Sequence, residues 1–223
     1  MTEQLPLFPL ATVLFPGLVL PLHVFEERYR LLVRELVDRP PGAGARFGVV
    51  AIRSGHEVGP SLPNLHDVGC IAELRKVEPY DDGRFDILTT GGARFRLREI
   101  DTSRAYLTGE VDMLPEDVGD PASAGSLTGR VQAAFAAYLR ALGKAQGSVP
   151  ELPDLPAEPL PLSYLVAAAV VGDLPDKQRL LAAPDAVSRL ELELSLLSQE
   201  IRLLGALSAA PAVDLTRQIF SAN

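Results

Sequence analysis

The apolar residues of this chain of 223 residues change their spacing near residue 115, and that change dictates two differently built parts. Before it, apolar runs are short, rich in β-branched residues and broken by Gly or Pro, which is the texture of strands. Leu5 to Leu22 carries Pro6, Pro9, Pro16 and Pro21 among Leu, Val and Phe. Each proline locks φ and lacks a backbone donor, so no helix forms there. The stretch reads as edge or bent strands joined by a tight turn at Pro16-Gly17. One helix interrupts the pattern: Phe25, Tyr29, Leu32, Val33 and Leu36 recur at helical spacing until Pro40-Pro41-Gly42 stops them. Strand texture resumes at Arg46–Arg53, His66–Tyr80, Arg84–Thr90, Arg94–Ile100 and Tyr106–Leu114, with Asp81-Asp82-Gly83 as a hairpin signal. Antiparallel strands in such a run predict a closed or nearly closed small β-barrel, because closure hides the edges.

Beyond that point the period is helical. Pro115 to Ser126 reads as a connector, and Leu127, Val131, Phe135, Tyr138, Leu139 and Leu142 then form one stripe. A second Pro-rich connector, Val149 to Pro161, precedes an apolar segment from Leu162 to Val171. Pro175 suits the first turn of a short helix, and Asp185 suits the N-cap of the longest one, running to about Leu207. The expected organisation is α+β: a β-barrel-like subdomain over 1–114, a connector over 115–126 and a helical subdomain over 127–223. On the longest helix Leu190, Leu194, Leu197, Ile201 and Leu204 make one seam, while Leu192, Leu196, Leu203 and Leu207 lie roughly opposite. A helix apolar on two sides is either buried between layers or offers one stripe to a partner. Glu193, Gln199 and Glu200 flank or interrupt the second stripe, as an exposed stripe would have them.

Composition removes several function classes. With 47% hydrophobic and 22% charged residues the chain can bury a core, so it is not a disordered one. The 29 acidic against 21 basic residues give −8, the wrong sign for a general binder of nucleic acid or anionic membrane. The N-terminus has neither a basic n-region nor an apolar h-region, and Leu160–Val171 falls short of a membrane span, so a cytoplasmic protein is expected. The single cysteine, Cys70, excludes an intramolecular disulfide and multi-Cys metal sites, and reads as a small buried hydrophobe. His23, His56 and His66 lack metal-ligand spacing and read as loop or surface residues. The one Gly-Lys pair, Gly143-Lys144, is followed by Ala145, and no Gly-x-Ser-x-Gly elbow occurs. No catalytic residue, metal or cofactor is expected. Arg94, Arg96 and Arg98 alternate along a strand and so face one way. They make either a small anion or acidic-peptide patch or a solvated sheet face with acidic cross-strand partners.

Three stretches together resemble the N-terminal, substrate-binding domain of the ATP-dependent Lon proteases. The first is Leu5-Pro6-Leu7-Phe8-Pro9-Leu10, running through Phe15-Pro16-Gly17 into Leu20-Pro21-Leu22. The second is Val68-Gly69-Cys70-Ile71-Ala72, then Asp82-Gly83, then Gly91-Gly92-Ala93-Arg94-Phe95. The third is Gln178-Arg179-Leu180-Leu181, leading into Arg189-Leu190. The resemblance covers about residues 4 to 205. It implies a PUA-like β-barrel followed by helices, in agreement with the reading of the residues. Full Lon proteases continue into ATPase and Ser–Lys protease modules. This sequence reaches Asn223 with neither, and is expected to be a stand-alone, non-catalytic domain.

The family role implies recognition of unfolded or degron-bearing polypeptide through an apolar groove, expected between the two subdomains. Candidate contributors are Phe8, Phe15 and Phe25 from the first part and Leu192, Leu196 and Leu203 from the long helix. One alternative is an adaptor or self-assembly module that meets a folded partner, or its own copy, through the leucine-striped helix. Another is RNA binding by a PUA-like fold, which the net charge disfavours.

Overall fold

In a computed structural model that describes residues 2–40, 44–55, 63–148 and 153–209, the proline-rich start forms β1 (Thr2–Leu10) and β2 (Val19–Val24), with a turn at Pro16-Gly17. There follow α1 (Glu27–Val37), β3 (Arg46–Ser54), β4 (Asn64–Leu65), β5 (Val68–Pro79), β6 (Phe85–Asp101) and β7 (Thr108–Met113). The helices are α2 (Pro121–Ala145), α3 (Pro159–Ala169), α4 (Leu174–Ala182) and α5 (Ala186–Ala209). The result is the expected α+β class. Asp81-Asp82-Gly83 does turn β5 into β6, with Gly83 at φ 81° donating its N–H to the Tyr80 carbonyl.

The pairings run β1–β7–β6–β5–β3, all antiparallel, and β3 then pairs with β1 in parallel. β2 adds to the first half of β6, and β4 to β3. The two strands expected at Arg84–Thr90 and Arg94–Ile100 are one strand, β6. Irregular register between Cys70 and Ala72 on β5 lets it bend instead of break.

Both faces of the central strands are buried, which explains their near-continuous apolar runs. Leu5 and Leu7 of β1 join Val50, Ile71, Phe95 and Val111 in one cluster. Phe8 and Leu10, on the opposite face of β1, join a larger core shared with α1 and the C-terminal helices. Phe95 is fully buried, and a Cβ on Gly69 would lie 2.4 Å from its ring, so position 69 has no room for a side chain.

Three of the helix starts carry an aspartate cap. Asp120 caps α2 ahead of Pro121, Asp173 caps α4, and Asp185 accepts from the Ser188 N–H at the start of α5. Three expectations need correction. α2 opens at Pro121, inside the stretch 115–126 read as connector, because Asp120-Pro121 is a complete helix start. Phe25 does not join the α1 stripe: Glu26 has extended φ/ψ and the helix begins only at Glu27, leaving Phe25 exposed. Glu193 does not flank an exposed stripe. It is fully buried, three residues after Leu190 and four before Leu197, in the seam packed against the other helices. His56, Pro41-Gly42 and part of the second connector lie outside the described residues.

Candidate functional site

An exposed, largely apolar surface lies on the outer face of β2, β6 and β5. Register places Pro21 beside Leu88 and Leu88 beside Lys76; one step on, His23 lies beside Asp86 and Asp86 beside Glu78. Alternation then decides which side chains face outward. Val24, Phe85, Ile87 and Thr89 are buried on the inner face, so Val19, Pro21 and His23 of β2 and Asp86 and Leu88 of β6 stand on the outer one. These rows line a hollow of about 410 Å³. Of the seven large apolar side chains that stand exposed among the described residues, four belong to this region: Val19 (60%), Phe25 (51%), Tyr80 (44%) and Leu88 (37%). The His23 ring lies 6.2 Å from that of Phe25 and 5.9 Å from that of Tyr80, tying the aromatic end of the patch to the sheet.

One polar network is set into this face. Asp86 is 2.6 Å from His23 Nδ1 through one oxygen and accepts the Tyr80 hydroxyl at 2.6 Å through the other. Those bonds hold its carboxyl below the usual range, and the same Tyr80 bond pushes the phenol up. The Arg84 guanidinium lies 5.5 Å from the centre of the Tyr80 ring, with Nη1 3.4 Å from His23 Nε2.

A cleft of about 310 Å³ lies between residues 11–20 and the α3–α4 region, lined by Phe15, Leu18, Val19, Ala168, Leu174 and Lys177. Val19 belongs to both surfaces, so the outer face of β2 runs into the cleft. Exposed Val171 is next in the chain to Gly172, another lining residue. The far wall is fixed by Lys177, whose ammonium donates to the carbonyls of Ala167 (2.6 Å), Ala168 (2.9 Å) and Val170 at the end of α3. Burial pushes this lysine down to about 8, against the opposing pull of Glu193. Burial pushes the Glu193 carboxyl well up, and neither of its oxygens has a hydrogen-bond partner among the described residues.

A buried charged cluster joins β6 to the helices. Arg94 is 1% exposed and donates to Leu181 O, Ala183 O, Pro115 O and Glu116. Tyr164 also donates to Glu116, and its ring carries the Arg189 guanidinium at 4.0 Å. Arg189 in turn bonds Leu180 O and Ser163.

The structure does not bring the six expected contact residues together. Phe8 is core, stacked on Tyr29 at 4.0 Å. Phe15 is buried as part of the cleft wall, and Phe25 stands on the exposed face. Leu192 and Leu196 are half-buried over a 110 Å³ hollow against α4, and Leu203 is exposed farther along α5. The arginine row is not one patch. Arg94 is buried because Pro115-Glu116 and the α4–α5 connection cover its end of the strand. Arg96 stays exposed, and Arg98 pairs with Asp112 at 2.7 Å. Leu88, Val19 and Tyr80 were missed as candidates. The signal for Leu88 was its parity, since an apolar residue between Ile87 and Thr89 must face away from the side they bury. Cys70 is buried as expected, and burial pushes its thiol up.

A β-sheet with an open apolar face, backed by a helical bundle through a buried ionic cluster, defines a binding domain of the Lon N-terminal type. The family model for the ATP-dependent protease La (LON) substrate-binding domain matches residues 4–199, and the chain belongs to that family. Lon protease 2 of Syntrophobacter fumaroxidans is 31% identical over 197 residues, covering 85% of this chain and 23% of that protein. Lon protease 2 of Sorangium cellulosum is 28% identical, over 91% of this chain and 25% of that protein. The chain thus spans about a quarter of the length of these curated relatives, and neither an ATPase nor a protease module is matched. A Lon N-terminal domain protein from Xanthomonas campestris superposes with TM-score 0.63 at 25% identity, over 86% of this chain and 98% of that one. The N-terminal domain of the Mycobacterium avium complex Lon protease shares the fold, with TM-score 0.62.

Proposed function

We propose that this chain binds unfolded or degron-bearing polypeptide without catalysis, along an apolar track from the cleft beside Phe15 over the outer face of β2, β6 and β5. The observation that carries this reading is that four of the seven large apolar side chains exposed among the described residues lie along this one face: Leu88 in the hollow, Tyr80 and Phe25 beside His23 of its wall, and Val19 on the same face of β2. Singly exposed apolar residues need no explanation, but a contiguous patch in a folded chain marks an interaction site. Membership of a substrate-binding domain family supports the same reading.

Fluorescence anisotropy of a labelled unfolded polypeptide, titrated at two salt concentrations, tests it. Saturable binding that survives the higher salt is expected, because apolar burial is not screened. Leu88→Asp should weaken it about tenfold, as loss of about 1.5 kcal/mol of leucine burial implies, without unfolding a chain in which Leu88 is already exposed. Absence of binding by the wild-type protein at tens of micromolar refutes the reading. A second reading, docking of a folded partner or a second copy on α5, is favoured by exposed Leu203 and by the hollow beneath Leu192 and Leu196. It predicts that Leu196→Asp, and not Leu88→Asp, abolishes the interaction.

A further inference from the structure

We infer that the outer face of β2, β6 and β5 selects extended segments in which an apolar side chain and an arginine or lysine stand two residues apart; this rests on the polypeptide-binding reading above. The charge pattern of the face carries it. Glu78 is paired with Lys76 at 2.5 Å, Glu73 with Arg75 at 2.6 Å and Asp82 with Arg84 at 2.7 Å. Asp86 is the exception: the residue within ion-pair distance of it is His23. Among the described residues no lysine or arginine lies within ion-pair distance of Asp86, which stands in the wall of the hollow.

Around that charge stand the rings of His23, Tyr80 and Phe25. Arg84 on Tyr80 demonstrates that such a ring face accepts a guanidinium, and a carboxylate beside aromatic faces is favourable for a cation. The apolar row, Pro21 with Leu88, lies two residues along the strands from the acidic row, His23 with Asp86, about 7 Å away. An extended client presents same-face side chains at that pitch, so an apolar residue over Leu88 sets residue i+2 or i−2, according to the direction of the client, over Asp86. The net charge of −8 favours the same cationic clients at longer range.

The test is anisotropy of labelled Gly/Ser-flanked peptides carrying Val-Ser-Leu-Ser-Arg, Val-Ser-Leu-Ser-Gln or Val-Ser-Leu-Ser-Glu, titrated with the full chain. The Arg peptide should bind on the order of tenfold tighter than the Gln peptide, as an exposed ion pair with a cation–π contact implies. The Glu peptide should bind weaker than either. Asp86→Asn should bring the Arg and Gln peptides within twofold of one another. Should Asp86→Asn fail to fold, salt dependence of the wild-type protein takes its place: the Arg advantage must shrink at 0.5 M salt, about four-ångström screening. Equal binding of all three peptides, or an Arg preference untouched by salt or by Asp86→Asn, overturns the inference and leaves polypeptide binding standing. Binding of none overturns both.

Discussion

Replacing Arg94 should cost more stability than any other change to the ionic core, and the cost can be worked from its contacts. The guanidinium reaches Glu116 at 3.1 Å and the carbonyls of Leu181 at 2.9 Å, Ala183 at 2.6 Å and Pro115 at 3.2 Å. It joins β6 to the segment after β7 and to the α4–α5 connection. Arg94→Met fits the apolar stem but strands three carbonyls and a carboxylate. Hydrogen bonds to a charged group contribute about 1.5–3 kcal/mol each, but a straight sum overshoots because the arginine's own desolvation is relieved. Breaking a buried pair by removing one partner costs about 3–5 kcal/mol, the figure expected here and a large share of a typical 5–15 kcal/mol of total stability. Urea denaturation with the m-value monitored is the assay, and hydrogen exchange should show Leu181–Ala183 losing protection first. Arg94→Lys keeps the charge but not the fork, and should recover less than half of the loss. A loss below about 1 kcal/mol for Arg94→Met would refute the clamp.

Glu193→Gln should stabilise the protein near pH 8 and not at pH 4. Burial raises the folded-state value of Glu193 above its ordinary 4.5, so its stabilisation is complete below that value and is lost as pH rises through the raised one. A midpoint shift in urea that is the same at pH 4, 6 and 8 would contradict this. Gly91→Ala should cost about 1–3 kcal/mol, since its Cβ would lie 2.1 Å from the Phe15 carbonyl oxygen, a backbone atom that must then move. Gly129→Ala, on an open stretch of α2, should be neutral or stabilising by up to about 1 kcal/mol, which thermal denaturation of the pair resolves.

Much of the architecture was legible because it rests on local rules. The prolines of β1 and β2, the Asp81–Gly83 turn, Pro175 in the first turn of α4 and the Asp185 cap of α5 act over a few residues, and each held. What failed needed knowledge of covering layers. Alternation put Arg94 and Arg96 on one face, but only the path of Pro115-Glu116 and the α4–α5 connection decides that one is buried and the other wet. Phe25 fitted the α1 stripe by spacing, and a single extended residue, Glu26, took it out. Phe8 could be known as apolar but not as core, since both faces of β1 are covered. Glu193 was readable: its three- and four-residue offsets from Leu190 and Leu197 put it in the seam, a signal outweighed by the habit of assigning carboxylates to the surface.

The residues that carry the family resemblance are mostly framework. In Gly91-Gly92-Ala93-Arg94-Phe95, Gly91 lets residues 15–18 pass against β6, Arg94 clamps the helical half and Phe95 fills the cluster bounded by Gly69. In Gln178-Arg179-Leu180-Leu181, Gln178 donates to Val68 O and the leucines are buried. None of these side chains lines the hollow on β2, β6 and β5. That surface is built from His23, Asp86, Leu88 and their neighbours, residues whose replacement leaves the framework bonds untouched. Pro21 and Leu22 belong to both sets: they stand in the Leu-Pro-Leu stretch of the resemblance and in the wall of the hollow. On the proposed reading, therefore, the fold is written in one set of positions and client preference almost wholly in another. A chain can belong to this family by its motifs and still choose its clients by a handful of outward-facing residues on one strand pair.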